Sequence, residues 1–313
     1  NEEEESQLRG TIAAISWAAR EGRPDGSASA SILSGCFPNP TLQNVLDCNA
    51  TVEMLKERSI TIKIHAIPEA DLRHVLVADS SFDPTGKSKP QHGWLQGVTT
   101  PALNRGQFAP MSLISWRSKK LRRKAASTTL CESISLSTAL ASLEKQAATM
   151  KSFRFSRYDP SQVVEDMDVL MGLRGPPVVI STEDPRHQDP EAVAIIDAKS
   201  VYDSTASSER QFQGDDDRAA LEAAMIQESL AKLRARLRWL PHNLNPADSL
   251  TKLPSAAHMA PLYTLLQKKG MVIQQEEIEL ATGRQGDRRQ KVHGPAAMSS
   301  EYAVDVHQPT MRS

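Results

Sequence analysis

Apolar positions in the first 58 residues recur at helical spacing. Leu8, Ile12, Ile15 and Ala19 share one face, and Leu42, Val45, Leu46, Val52 and Leu55 share a face of a second segment. Pro38 and Pro40 break the chain before that second helix, with Thr41 as its cap, and Gly22, Pro24, Asp25 and Gly26 make a turn-rich stretch between the two. The period then shortens. Ile60, Ile62 and Ile64 alternate with Thr61, Lys63 and His65, which predicts a strand. Val75, Leu76, Val77 and Ala78 form an unbroken apolar run ending on Asp79, the signature of a strand buried on both faces. Trp94, Leu95 and Val98 predict another strand, and Leu113 to Trp116 a third. Residues 128–150 read as a helix with Leu136, Leu140 and Leu143 on its stripe. A short helix over 163–173 and a strand at 178–180 follow, then a polar insertion over 181–190. Ala192 to Ile196 is again an apolar strand ending on an aspartate, Asp197. A helix over 218–236, a strand over 237–240 and a loop over 241–246 lead to Asp248. From about residue 282 no period remains, and a disordered tail is expected.

A chain of 313 residues accommodates one good domain with appendages or two small ones. Its 37 basic and 38 acidic residues nearly cancel, so net charge says little about partners, but their distribution is uneven. Glu2 to Glu5 open the chain, while Arg117, Lys119, Lys120, Arg122, Arg123 and Lys124 form a dense basic cluster. Cys36, Cys48 and Cys131 are too few and scattered for a disulfide framework or a zinc site, which favours an intracellular protein of cytoplasm or nucleus. No apolar run approaches the roughly 18 residues of a membrane span, and no signal peptide is visible, so no membrane partner is expected. The Asn49-Ala50-Thr51 sequon is therefore read as chance. The start at Asn1 rather than Met fits a fragment of something longer.

Two apolar strands ending in aspartate carry the first chemical signal, since functional groups collect at the carboxyl ends of strands in α/β sheets. Either aspartate alone could simply begin a turn. Glu132 lies among Leu130, Cys131, Ile134 and Leu136, where a carboxylate is costly unless paired or metal-bound; in isolation it could equally face solvent. Converging carboxylates repel one another unless a cation neutralises them, and an all-oxygen set suits magnesium or manganese rather than zinc. Two such ions about 4 Å apart activate water and clamp a scissile phosphate, so the chemistry that follows is phosphodiester hydrolysis.

The stretch from Ile114 through Trp116, Arg117, Ser118, Lys119 and Lys120, followed by Ser127-Thr128-Thr129-Leu130-Cys131-Glu132, resembles the ribonuclease H domain of copia-type retrotransposon polyproteins. Asp197-Ala198-Lys199-Ser200-Val201-Tyr202-Asp203 is similar to a second mark of that family. Trp239-Leu240-Pro241 with Pro246-Ala247-Asp248-Ser249-Leu250-Thr251-Lys252 is similar to a third. Upstream, Arg23-Pro24-Asp25 and Asn39-Pro40-Thr41 resemble marks of the segment joining polymerase to ribonuclease H. The resemblance extends from about residue 8 to 270, and its specificity lies in the order and spacing of the motifs.

The resemblance implies an α/β ribonuclease H-like fold, a five-stranded mixed sheet flanked by helices. Residues 1–58 would be a helical connection after a missing polymerase, 59–270 the nuclease domain and 271–313 a mostly disordered tail. Asp79, Glu132, Asp197 and Asp248 would hold two Mg2+ ions, or Mn2+, and cut the RNA strand of RNA–DNA hybrids, with Asp83 in reserve. The expected partners are the hybrid and the polymerase domain of the same polyprotein. Arg117, Lys119, Lys120, Arg122 and Arg123 would bind phosphates of the hybrid or remain a solvated strand end, with Arg234, Arg236 and Arg238 as a second contact or ordinary surface. Recognition would depend on minor-groove shape and 2′-hydroxyls. Trp116 and Trp239 are expected in the core.

Several positions depart from the family pattern. Leu130 and Ser133 replace its Glu and Tyr, and Leu244 stands where it has a histidine, with His242 nearby as an auxiliary group. The stretch 152–190 is long for the family, and no Tyr-x-Asp-Asp polymerase motif occurs. The alternative reading is accordingly a degenerate retroelement remnant that binds nucleic acid or protein. A resolvase or transposase on the same fold would share the acids but act on duplex DNA.

Overall fold

The computed structural model describes residues 2–82, 90–123, 125–154, 190–206 and 217–273. The helix expected over 163–173, the strand at 178–180, the reserve ligand Asp83, Lys124 and the polar tail lie outside them. Among the described residues, no helix is long and apolar enough to cross a membrane.

Five strands form one sheet: β1 (Arg73–Ser81), β2 (Gln91–Thr99), β4 (Ser112–Lys120), β5 (Ala192–Ile196) and β6 (Ala235–Trp239), in the order β4-β2-β1-β5-β6. β1 pairs antiparallel with β2 and parallel with β5, β2 antiparallel with β4, and β5 parallel with β6. A short pairing of β3 (Ala109–Pro110) with β7 (Gly270–Met271) stands apart. This mixed sheet with helices on both faces is the ribonuclease H-like architecture expected from the sequence.

The unbroken apolar runs of β1 and β5 follow from burial on both faces. On one face Val75, Val77, Val193 and Ile195 pack with Met259, Leu262, Leu265 and Leu266 of helix α7 (Ala256–Lys268). On the other, Leu76, Ala78, Ala194 and Ile196 meet Leu136, Leu140 and Leu143 of α4 (Thr128–Arg154) and Ile226 of α6 (Asp217–Lys232). Between β5 and α6 lies α5 (Lys199–Ala206), whose Val201 joins the same cluster.

The first 58 residues form α1 (Glu2–Glu21), α2 (Ser27–Leu33) and α3 (Leu42–Glu57), with α2 a separate helix that periodicity did not isolate. Thr41 caps α3 in a reciprocal capping box with Asn44. Leu8, Ile12, Ile15 and Ala19 pack on Ala30, Leu33 and Cys48 in a core of their own. This unit lies against the edge strand β4 and the start of β2: the Trp116 indole N–H of β4 donates to the Ala19 carbonyl at 2.7 Å, and Gln91 of β2 donates to Ser31 at 2.6 Å. An edge strand left bare offers unpaired backbone groups to other chains, and α2 covers it.

The Arg23-Pro24-Asp25 motif latches this unit to α7. Arg23 grips the buried Asp25 carboxylate through Nε at 3.0 Å and Nη2 at 2.8 Å, while its Nη1 donates to the Leu55 carbonyl. The Tyr263 hydroxyl donates to the same carboxylate at 3.2 Å. Burial, reinforced by the Asp25 charge, pushes that phenol up to about 12, which keeps it a donor at neutral pH.

Two expected elements differ. Residues 60–64 form no strand. Ile60 and Ile62 do pack against the core, but Ile64 is 67% exposed, and the His65 N–H bonds the Ser112 hydroxyl rather than a backbone ladder. The helix expected over 218–236 stops at Lys232, because Arg234 turns left-handed (φ 45°) and starts β6 at Ala235.

Candidate active site

The four acids reach the carboxyl end of the central strands by four separate routes. Asp79 lies on β1, the Ser135 hydroxyl of α4 donating to its backbone carbonyl at 2.8 Å. Glu132 enters from the first turns of α4, which crosses that face of the sheet. Asp197 follows β5 directly, and the Trp239 indole N–H fixes its carbonyl at 2.8 Å. Asp248 sits on a buried 3-10 helix, Pro246–Leu250. Asn245 starts that helix by accepting from the Ala247 N–H at 3.0 Å, and its amide donates to the Ala78 carbonyl at 3.2 Å, next to Asp79. One buried asparagine thus sets the last acid against the first strand.

Gly93, paired with Asp79 across β1 and β2, allows this approach. A Cβ there would stand 2.5 Å from Leu250 Cβ, so the 3-10 helix could not lie as close to the sheet. Gly93→Ala is expected to cost about 1–3 kcal/mol through overpacking. It is also expected to lower activity by shifting Asp248; urea unfolding and a cleavage assay check both effects.

Asp79, Glu132 and Asp197 each bring one carboxylate oxygen within 4.8 Å of the others, and Asp79, His242 and Asp248 form a second such group. His242 joins the two groups: Nδ1 is 2.7 Å from Asp197 Oδ2, and Nε2 is 3.7 Å from Asp248 Oδ1. It is 62% exposed at the mouth, while the side chains of Asp197 and Asp248 are 7% and 5% exposed. Sequence reasoning missed Thr251 and Lys252. Thr251 donates to Asp79 Oδ2 and Lys252 to Asp248 Oδ1, both at very short range.

Burial is the largest cause that pushes the Asp79 carboxyl well above the ordinary carboxylate range; the fields of Asp197 and Asp248 add to it, while the Thr251 hydrogen bond and Lys252 oppose it. Glu132 is raised in the same way, by burial first and then by Asp79 and Asp197. An acid raised in the folded state binds its proton more tightly there than in the unfolded chain. Stability from this source is full below the ordinary carboxylate range and is lost as pH rises through the raised values. Without divalent metal, the melting temperature of the parent minus that of Asp79→Asn is therefore expected to fall as pH rises from about 4. Saturating Mg2+ is expected to flatten the trend, and a difference constant with pH in metal-free buffer would contradict it.

The basic cluster lines a groove of about 460 Å³ with His92, Trp94 and the α4 residues Ile134, Thr138 and Ser142. Arg117 and Arg122 are exposed, and their charges, Arg122 foremost, lower the pKa of Lys119. His92 is driven down to about 4 by burial and then by Lys119 and Arg117, so it is neutral. Two members of the cluster also approach other parts of the protein. Arg123 forms an ion pair with buried Glu222, which also accepts from Ser137 at 2.7 Å, and Lys120 fills the space beside Gly35 at the end of α2. Arg238 is buried and donates to the Asn104 carbonyl, and Arg234 pairs with Glu191 at 3.0 Å. Trp116 and Trp239 are both half-buried, with their indole N–H groups bonded to backbone.

No protein-family model matches the chain. No curated protein matches it either. Among solved structures it is similar to the N-terminal ribonuclease H domain of a Mycobacterium tuberculosis protein, solved as a fusion with maltose-binding protein: 14% identity, TM-score 0.32, covering 62% of this chain and 98% of that one. It is also similar to the protease–reverse transcriptase of prototype foamy virus, at 13% identity and TM-score 0.30, over 69% of this chain and 23% of that one. At such values the fold rests on the sheet order described above rather than on these likenesses.

Proposed function

We propose that the chain is the ribonuclease H domain of a copia-like retroelement reverse transcriptase with its upstream connecting segment, a metal-dependent endonuclease that hydrolyses the RNA strand of RNA–DNA hybrids inside the cell. The convergence of Asp79, Glu132 and Asp197, with Asp248 joined through Asp79, supports this reading most. Three oxygen ligands on separate elements, with two of their carboxyl groups driven up by burial and mutual repulsion, are the donor chemistry of a site for hard divalent cations. Mg2+ ions held there would supply an activated water and charge neutralisation at the scissile phosphate.

The remaining work falls to the protein's own groups. Thr251 and Asn245 hold Asp79 and Asp248 in place, so little reorganisation is needed when substrate arrives. His242, exposed beside Asp197 and Asp248, is placed to exchange a proton with the leaving oxygen or with bulk water. Arg117, Lys119 and Arg122 stand along the groove beside α4, where they would contact phosphates without reading bases. Leu130 and Ser133, the departures from the family pattern, are accommodated within the fold: Leu130 is buried among Cys131 and Ile134, and Ser133 bonds its own helix at the Thr129 carbonyl.

Three labelled substrates of the same sequence test the reading: an RNA–DNA hybrid, the RNA alone, and duplex DNA. Mg2+-dependent cleavage of RNA in the hybrid alone is expected. Binding without cleavage would support the remnant reading, and cleavage of duplex DNA the resolvase or transposase one.

A further inference from the structure

Lys252 belongs to no part of the chemistry above, yet its ammonium reaches into the acid cluster from the edge. It follows the 3-10 helix that carries Asp248, and its ammonium donates to Asp248 Oδ1, four residues back. Asp248 is one of the two carboxylates in the second ligand group, with Asp79. The field of Lys252 also reaches Asp79 and Glu132, favouring the ionised form of each. One lysine therefore offsets charge on three of the four acids. A solvated i,i+4 ion pair contributes little, but here the Asp248 side chain is 5% exposed, so the pair is more than surface decoration.

We propose that Lys252 is a resident counter-ion of the acid cluster, which must leave Asp248 for a divalent cation to enter and so limits how tightly that cation is held. The inference rests on the metal-dependent reading of the site. A divalent ion drawing on Asp79 and Asp248 would stand within contact range of the ammonium, a like-charge encounter in a poorly hydrated pocket. The lysine can yield. Its side chain is 30% exposed at the cluster's edge, and its charge sits on a flexible four-carbon stem, so the ammonium has a route into water. Thr251 has no such freedom: it is buried, and its hydroxyl is held between Asp79 Oδ2 and the Asp248 carbonyl, the latter at 3.1 Å. The two adjacent residues divide the task, one fixing the cluster's geometry and the other its charge in the absence of metal.

Mn2+ binding, followed by the loss of the free-ion paramagnetic resonance signal at about pH 8, tests this where protons compete least with the metal. Lys252→Met is expected to bind Mn2+ about tenfold more tightly than the parent, because the like charge is gone. Lys252→Arg, which keeps the charge, is expected to stay near the parent value. Lys252→Gln serves in place of Lys252→Met if the latter does not fold. Equal or weaker binding by the neutral variant overturns the inference while leaving the metal site intact. Absence of Mn2+ binding by parent and variants alike overturns the metal-dependent reading together with the inference.

Discussion

Asp79→Asn is expected to reduce cleavage of the RNA–DNA hybrid by at least about 10³-fold, since removing one preorganised charge from a reacting centre costs several kcal/mol in the barrier. Asp79 stands at the crossing of the two ligand groups, shared by Glu132 and Asp197 on one side and by Asp248 and His242 on the other. Among the described residues, no other acid has that position. The same substitution is expected to raise, not lower, the melting temperature of the metal-free protein near neutral pH. Burial and two neighbouring carboxylates disfavour the ionised aspartate, whereas the neutral amide still offers an oxygen to the Thr251 hydroxyl. Loss of activity with gain in stability is the signature of a site that holds unfavourable charge for a purpose. A variant that lost activity while melting several degrees lower would instead show Asp79 acting as a structural residue.

The largest expected effect on stability lies far from the acids, in the latch between the N-terminal helices and α7. Asp25→Ala is expected to cost about 3–5 kcal/mol, the usual consequence of removing one partner from a buried ion pair. The Asp25 side chain is fully enclosed, while the Arg23 side chain is 22% exposed and would keep its charge beside the Leu55 carbonyl with no carboxylate to fork onto. The Tyr263 hydroxyl would lose its acceptor as well. Tyr263→Phe removes only one hydrogen bond to the carboxylate and is expected to cost nearer 1–2 kcal/mol. Urea unfolding of both variants checks the ranking; an Asp25→Ala cost no greater than that of Tyr263→Phe would show that the fork contributes little.

How much of this was readable beforehand depended on what each pattern reports. The runs Val75–Ala78 and Ala192–Ile196 marked central strands because a strand covered on both faces has no polar side to show, and the structure places both at the middle of the sheet. The alternation at Ile60, Ile62 and Ile64 was equally regular and gave no strand. Periodicity reports which side of an extended chain is buried, and here the hydrogen bonds go to the Ser112 hydroxyl and, through the His65 ring, to the Lys269 carbonyl. The early end of α6 was hidden for a different reason: the left-handed turn at Arg234 is a backbone event with no glycine to announce it.

At the site, Glu132 could not be assigned from its neighbours, since a carboxylate early in a helix is as easily solvated. Only the packing of α4 across the sheet turns it toward Asp79 and Asp197. Thr251 and Lys252 stood in plain view within the motif after Asp248. Their roles depend on a 3-10 turn that brings residues three and four positions on back against Asp79 and Asp248, and composition carries no trace of that. The basic cluster was visible as charge, but the pairing of Arg123 with Glu222 was not, because that partner is distant in sequence.

The four acids as a metal site face their most direct test in a Mg2+ titration of the melting temperature, run on the parent and on Asp197→Asn. Ligand that binds only the folded state stabilises by about 2.7 kcal/mol at a hundred times its dissociation constant, so the parent is expected to melt progressively higher as Mg2+ is added. Asp197→Asn, lacking one of three converging ligands, is expected to show little or no rise. A parent indifferent to Mg2+, or an Asp197→Asn variant that rises just as far, would contradict the account.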